Sequence, residues 1–161
     1  MEKKEHLKDT FGSNQRAAKA LLNDITEEES INNARGLTNH IKWQTGHIAY
    51  TLDAMVRILG GKAVLAEEWA APYRGGVELA KDNTVYPPFA EIRGNLYKLY
   101  DRLNELIENA SDDFLNGIAE LSNDWKAQRF NSLIFFCKHE FYHLGQIAII
   151  RKHLGRDRAF G

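Results

Sequence analysis

The sequence predicts an all-α fold, a bundle of four long helices. Apolar residues recur at spacings of three and four along four separate segments, which is the pattern of amphipathic helices. No segment indicates a convincing β-hairpin, and no internal repeat is present. A chain of 161 residues has room for one hydrophobic core, so we expect a single domain over residues 1–161. Four helices of similar length are typical of a four-helix bundle.

The first predicted helix runs from about Lys3 to Asn23. Thr26 and Glu29 then have the spacing of a capping box, in which each side chain accepts a hydrogen bond from the other residue's backbone N–H group. This spacing predicts a short helical turn. Residues 32–36 end in glycine and interrupt the helical pattern, so the first two long helices are separated by a break.

The second predicted helix begins near Thr38 or Asn39 and ends at Leu59, where two glycines form a strong stop signal. Residues 61–87 predict irregular structure, with Trp69 and Tyr73 exposed to water. Connections within helical bundles usually have about 2–8 residues. A segment this long can carry the chain back along the bundle, so the second and third helices can run parallel.

The third predicted helix opens at the pair of prolines 87–88 and runs to about Asn109. Its apolar stripe consists of Leu96, Leu99, Leu103 and Leu106. Residues 110–130 form a second long connection. The fourth helix is predicted to begin after Asn131 as its N-cap and to end at Leu154, with Gly155 just beyond.

Charge and cysteine content exclude several classes of protein. The 21 basic and 22 acidic residues give a net charge of −1, so the surplus of cations that nucleic-acid binding needs is missing. No apolar run approaches the length of a membrane span, and the N-terminus is charged where a signal peptide would be apolar. Cys137 has no second cysteine to pair with. We therefore expect a cytoplasmic protein in a reducing environment.

Three histidines predict a metal site. His139 and His143 are four residues apart on the fourth helix, so they share one face and can bind one ion. His47, in the middle of the second helix, can supply a third imidazole, although a single mid-helix histidine is more often a packing residue. Three imidazoles leave coordination positions open, as in catalytic sites. Imidazole binds zinc, nickel, copper and iron alike, so the spacing does not identify the metal.

Three chemically capable residues are predicted to lie outside this site. Cys137 is about 200° round the helix from His139, so we expect it to point away as a small buried apolar residue. His40 shares a face with His47 but lies about 10 Å along the axis, and we expect it at the surface where the helix ends. His153 is expected at the surface as well.

Other residues near the histidines have two interpretations each. Gln146 lies on the metal-facing stripe and either bonds a bound water or substrate or is a polar residue at a helix crossing. Three aromatic residues either line the site or belong to the core: Tyr142, Tyr50 and Trp43. Gly46 and Gly145 lie beside the histidines, and glycine in a helix costs about 1 kcal/mol relative to alanine. Close approach of a ligand or backbone and ordinary helix packing explain them equally well.

The run from His139 to His143 also fits the H-E-x-x-H pattern of zinc peptidases, in which the glutamate, here Glu140, is the general base. Those enzymes usually take a third ligand downstream. The sequence after His143 contains no glutamate, and its one histidine, His153, is on the same helix about 15 Å away. The peptidase interpretation is therefore disfavoured, and Glu140 is either a polar helix residue or a base that faces the metal.

Two segments resemble signatures of the DinB-like superfamily, whose name records induction by DNA damage. The first is Asn39-His40-Ile41-x-Trp43-Gln44-x-Gly46-His47, and the second is His139-x-x-x-His143-x-Gly145-Gln146-Ile147. The resemblance covers essentially the whole chain, and the second segment is the more specific. It implies a four-helix bundle with up-down-down-up topology, a metal triad on His47, His139 and His143 that holds nickel or zinc, and a homodimer.

The resemblance also implies a function. Some DinB-like proteins are thiol transferases or isomerases that use bacillithiol, mycothiol or glutathione, so we expect a metal-dependent enzyme with a small thiol as substrate. Gln146 or Tyr142 would orient the incoming group. The alternative is a metal-binding stress protein, or a helical interaction module, in which the same triad only stabilises the fold.

Overall fold

Four long helices make up most of the fold. The computed structural model describes residues 2–36, 39–80, 82–122 and 125–159. The helices are α1 (Lys3–Leu22), α2 (Ile41–Ile58), α3 (Phe89–Asn109) and α4 (Arg129–His153). The all-α bundle predicted from the periodicity is confirmed. Thr38, one of the two predicted starts of the second helix, lies outside the described residues, and the helix itself begins at Ile41.

Hydrogen bonds and ion pairs between the helices give their directions. Residue numbers rise together along α1 and α4, in the pairs Asn14–Cys137 and Leu21–Arg151. They run in opposite senses along α1 and α3, in the pairs Lys8–Glu108 and Asn23–Tyr97. They also run in opposite senses along α2 and α4, in the pairs Gln44–Gln146 and His47–His139. The four helices therefore run up, down, down and up.

Helix α2 is the most enclosed of the four. It packs against both α3 and α4, and all its residues except Tyr50 and Arg57 are buried. The connection from residue 59 to residue 88 covers the outer side of its first turns. There Tyr73 and Tyr86 form a small apolar cluster with Trp43 and Ile92. A histidine in the middle of α2 is therefore held away from bulk water.

The connection between α2 and α3 contains three short helical turns: Glu67–Ala70, Ala71–Tyr73 and Asn83–Val85. The prediction that Tyr73 is exposed was wrong, because its side chain is fully buried. Its ring lies against Gly46 on α2, where the missing side chain leaves room for it. Trp69 is half-buried and donates a hydrogen bond to Glu91 at 3.1 Å.

The connection between α3 and α4 differs from the prediction. It contains a short helix, Asp112–Asn116, and an antiparallel hairpin of β1 (Ile118–Ser122) and β2 (Trp125–Gln128). No hairpin was predicted from the sequence. These strands are short and lack a clear polar–apolar alternation, and β1 is supported by packing against α2 and α4, which no local pattern reports.

Helix α4 begins at Arg129 and not after Asn131 as predicted. No side chain caps it. The backbone N–H of Arg129 instead donates to the carbonyl oxygen of Gly117, the residue before β1, at 2.8 Å, which satisfies one of the free N–H groups of the first turn. The predicted capping box is confirmed: Thr26 and Glu29 exchange hydrogen bonds around the one-turn helix Glu27–Ser30. None of the helices in the described residues combines the length and the apolarity needed to cross a membrane.

Candidate metal centre

Three imidazoles converge between α2 and α4. His47 projects from the second turn of α2, and His139 and His143 project from adjacent turns of the antiparallel α4. The Nε2 atom of His139 lies 3.5 Å from that of His47 and 3.2 Å from that of His143. One ligand atom from each ring lies within 4.8 Å of the others. Two separate helices thus bring three nitrogen donors to one point.

These separations fit a shared ion. Metal–nitrogen bonds of about 2.0–2.1 Å in a tetrahedral arrangement place neighbouring nitrogens about 3.3 Å apart. The two measured distances, 3.2 and 3.5 Å, lie on either side of this value. No Asp, Glu or Cys joins the cluster among the described residues. The donor set is therefore three imidazoles, which leaves at least one position open in a tetrahedral ion.

Hydrogen bonds orient two of the three rings. The Nδ1–H group of His47 donates to the backbone carbonyl oxygen of Tyr73 at 2.5 Å. A carbonyl oxygen only accepts, so Nδ1 carries the proton and the lone pair on Nε2 faces the cluster. The Nδ1–H group of His143 donates to the side-chain oxygen of Gln44. The amide nitrogen of Gln44 donates to Gln146 and to the carbonyl oxygen of Asn39, which fixes the amide orientation.

His139 is held differently from the other two histidines. It is half-buried, while His47 and His143 are buried. Its Nδ1 atom has no hydrogen-bond partner among the described residues. The Phe135 ring lies nearly parallel to the imidazole, with 6.3 Å between the ring centres and 17° between the planes. The solvent-facing side of the cluster is therefore at His139.

The electrostatic environment keeps all three imidazoles neutral. Burial lowers the pKa of His47 and His139. Burial and the two neighbouring imidazoles lower the pKa of His143 to about 3. A neutral imidazole is the form that binds a metal, so little proton release is needed near neutral pH. The stacked indole of Trp43, 4.7 Å from the His47 ring, adds apolar surface and no charge.

The comparisons with known proteins identify the family. The family model described as the DinB superfamily matches residues 10–147, which is most of the chain. This chain belongs to the DinB superfamily. No curated protein sequence matches it significantly.

The fold of this chain is also seen in a solved structure. The chain is similar to YfiT from Bacillus subtilis, with 14% sequence identity and a TM-score of 0.67. The match covers 96% of this chain and 89% of that one. YfiT is described as a probable metal-dependent hydrolase with an unusual four-helix bundle topology. At this identity the likeness establishes the shared fold.

Glu140 does not face the histidine cluster of this DinB protein. Its side chain is fully buried and turned away from the cluster toward α1 and α3, where it accepts hydrogen bonds from the Tyr100 hydroxyl and, at 2.9 Å, from Asn14 Nδ2. Burial raises its pKa to about 7. The general-base role of the peptidase interpretation therefore has no structural support, because the carboxylate points into the core between α1 and α3.

The remaining predicted residues differ in whether they lie at the site. Cys137 points away from the site as predicted, and burial raises its pKa to about 12. Gln146 lies beside the site but contacts Gln44, so it reaches the imidazoles only through that amide. Tyr142 is exposed and its ring edge meets His143 at 5.2 Å between centres, which excludes a core role. Trp43 is buried and Tyr50 half-buried, both beside His47.

His40 was predicted at the surface, but it is buried. It is the N-cap of α2: its Nδ1 atom accepts a hydrogen bond from the Trp43 N–H group at 2.9 Å, and its ring meets Tyr86 edge-on. Burial lowers its pKa to about 4. His40 is therefore a structural residue of the helix end and does not join the three clustered histidines.

The two glycines beside the histidines have different surroundings. A Cβ atom at Gly46 would lie 2.1 Å from the Tyr73 ring, whereas one at Gly145 would meet nothing within 4 Å. Close approach therefore explains Gly46 and not Gly145. Tyr73 and Gln44 are the supporting residues that sequence reasoning did not select. Gln44 is one helical turn before His47, a usable signal, whereas nothing local connects Tyr73 with the site.

Proposed function

We propose that this DinB protein binds one divalent metal ion through the Nε2 atoms of His47, His139 and His143 and is a metal-dependent enzyme. The observation that carries the proposal is the convergence of three neutral imidazoles, two of them oriented by hydrogen bonds, at the spacing that one ion needs. Membership of the DinB superfamily and the description of YfiT as metal-dependent support it. Imidazole donors favour zinc or nickel over magnesium or calcium.

We infer a small-thiol transferase as the reaction type. A bound divalent ion would lower the pKa of a coordinated thiol or water and provide a nucleophile near neutral pH. His47 and His143 are the rigid ligands, since Tyr73 and Gln44 orient them, and His139 is the ligand nearest solvent. An ion held by three imidazoles can deprotonate either a bound thiol or a bound water without a carboxylate in the cluster. The resemblance to DinB-like thiol transferases is what favours the thiol.

A hydrolase is the second candidate, since YfiT is described as one. One series of assays distinguishes the two activities. The metal-loaded protein is incubated with an electrophile in the presence and absence of bacillithiol, mycothiol or glutathione, and with an ester substrate. Thiol-dependent conjugation supports the transferase, and thiol-independent ester cleavage supports the hydrolase. A protein that binds metal but turns over neither substrate is the non-catalytic alternative.

The metal site is tested before any substrate. Protein purified without a histidine tag is expected to contain one divalent ion per chain by elemental analysis. His139→Ala, the least buried of the three positions, should lose it, whereas the control His153→Ala on the exposed end of α4 should keep it. Equal metal content in both variants would contradict the proposal.

A further inference from the structure

The open side of the histidine cluster is bordered by aromatic side chains. Phe135 precedes His139 by one turn of α4 and Tyr142 follows it by almost one turn, so both lie on the helix face of His139. Phe135 is 49% exposed and Tyr142 is 64% exposed. Both rings are accessible beside a polar centre, so an apolar group bound at that centre could cover part of each ring.

These rings also contact the proposed ligands. The Phe135 ring faces the His139 imidazole, and the Tyr142 ring meets the His143 imidazole edge-on. Along the helix the two residues are about 10 Å apart, with His139 between them, which leaves room for one small planar group. Lys138 is the one formally charged residue between them on the exposed side of α4. The border of the site is therefore mainly aromatic.

We propose that the substrate of this site carries an aromatic or other flat apolar group next to its metal-binding atom, held between Phe135 and Tyr142. This inference rests on the proposed metal centre. The metal-binding atom would approach at His139, the ligand nearest solvent, and the apolar group would cover the two rings. The neutral donor set leaves the charge of the ion uncompensated, so the binding atom is an anionic oxygen or sulfur.

A second copy of the chain is the rival occupant of this face. Ile149 lies seven residues after Tyr142 and is 58% exposed, so it continues the apolar line along α4 beyond the histidines. A helix packed along α4 would cover Phe135, Tyr142 and Ile149 together. A substrate at the metal would use only the first two, because Ile149 lies six residues, about 9 Å along the helix axis, beyond His143. Ile149→Ala is therefore the matched control.

The test uses the full chain loaded with cobalt(II), whose visible spectrum reports ligand binding. Acetohydroxamate and benzohydroxamate bind metals through the same hydroxamate group. The first carries a methyl group and the second a phenyl group. We expect the wild type to bind benzohydroxamate at least about tenfold more tightly. Phe135→Ala and Tyr142→Ala should each remove most of that preference, measured in the cobalt-loaded protein as the ratio of the two hydroxamate affinities. Ile149→Ala should keep the preference.

Three results would overturn the proposal, and they are distinguishable. Equal affinity for the two hydroxamates, or a preference that survives both aromatic variants, contradicts the aromatic group while leaving the metal centre in place. Loss of a dimer in all three variants, measured by sedimentation, assigns the face to a second copy. Failure of the wild type to bind cobalt ends the proposed function itself.

Discussion

At the residue level, the orientation of His47 depends on a contact made outside its own helix. Its Nδ1–H group donates to the backbone carbonyl of Tyr73, and the Tyr73 ring occupies the space where Gly46 has no side chain. One glycine thus sets how close the connection between α2 and α3 comes to the imidazole. The position of the ring and the position of the carbonyl are linked, because both belong to Tyr73.

Gly46→Ala should therefore damage the site as well as the fold. The added Cβ would lie 2.1 Å from the Tyr73 ring, so Tyr73 and its carbonyl must move. We expect a loss of stability of about 1–3 kcal/mol from overpacking and a loss of metal affinity of about 10- to 100-fold. Urea unfolding of the metal-free protein and calorimetric metal titration measure the two effects.

Gly145→Ala is the matched control on the other helix. Nothing lies within 4 Å of its added Cβ. Replacing a helical glycine by alanine should stabilise the protein by about 0.5–1 kcal/mol and leave metal affinity unchanged. A fall in metal affinity in this variant equal to that of Gly46→Ala would show that the contact with Tyr73 is not the cause.

Gln44→Leu tests the support of His143. The leucine removes the acceptor for the Nδ1–H group of His143 and the donor to Gln146. We expect metal affinity to fall by about 10- to 100-fold with little change in helix content, since supporting residues of metal ligands usually have effects of that size. Gln146→Leu, which leaves the bond to His143 intact, should have a smaller effect. The reverse order would contradict the assigned support.

At the element level, α4 separates two polar systems. One face carries His139 and His143 toward α2, and an adjacent face carries Glu140 into the core, where α1 supplies Asn14 and α3 supplies Tyr100. The polar bonds of Glu140 thus join three helices at one point in the interior. A buried acid with partners on two neighbouring helices stabilises a specific arrangement of the bundle, and its protonation should affect stability.

The pH dependence of stability should change in Glu140→Gln. Burial raises the pKa of Glu140 from 4.5 to about 7, so between these values the folded state holds a proton that the unfolded state releases. The contribution of this acid is therefore complete below the lower value and is lost as the pH rises through the upper one. The lowered pKa of His143 acts in the opposite direction, but it is common to both proteins.

The measurement is the difference in unfolding free energy between the wild type and Glu140→Gln, each without metal, by urea titration. From about pH 5 to about pH 8 the wild type should lose a few kcal/mol relative to the variant. A difference that stays constant over this range would mean that Glu140 does not change its protonation state there.

At the level of the whole molecule, the proposed ion would join two helices that are separate in the sequence. His47 is on α2 and the other two ligands are on α4, so the complete donor set exists only in the folded chain. Metal should therefore stabilise the wild type against heat, by about 2.7 kcal/mol at a hundredfold excess over Kd. Calorimetry with and without metal should show no such shift in His139→Ala.

The homodimer implied by the DinB resemblance stays a prediction about the whole molecule. Sedimentation equilibrium of the wild type measures it directly, with and without metal. A dimer is expected in both conditions, because the three proposed ligands all belong to one chain. A mass that remains that of one chain over the accessible concentration range would contradict it.

The helices and the histidines could be predicted because their signals are local. Apolar spacing places α1, α2, α3 and α4, and the four-residue interval between His139 and His143 follows from helix geometry. The capping box at Thr26 and the stops at glycine are likewise determined by neighbouring residues. The direction in which Cys137 points follows from the same geometry.

The tertiary structure decided what depends on contacts between distant segments. It buried Tyr73 and His40, turned Glu140 to the core, exposed Tyr142 and formed the β1–β2 hairpin. Each result depends on which side of an element another segment covers, and the long connections decide that. The sequence by itself therefore determined which residues can bind a metal, whereas the packing of the bundle determined their orientation and neighbours.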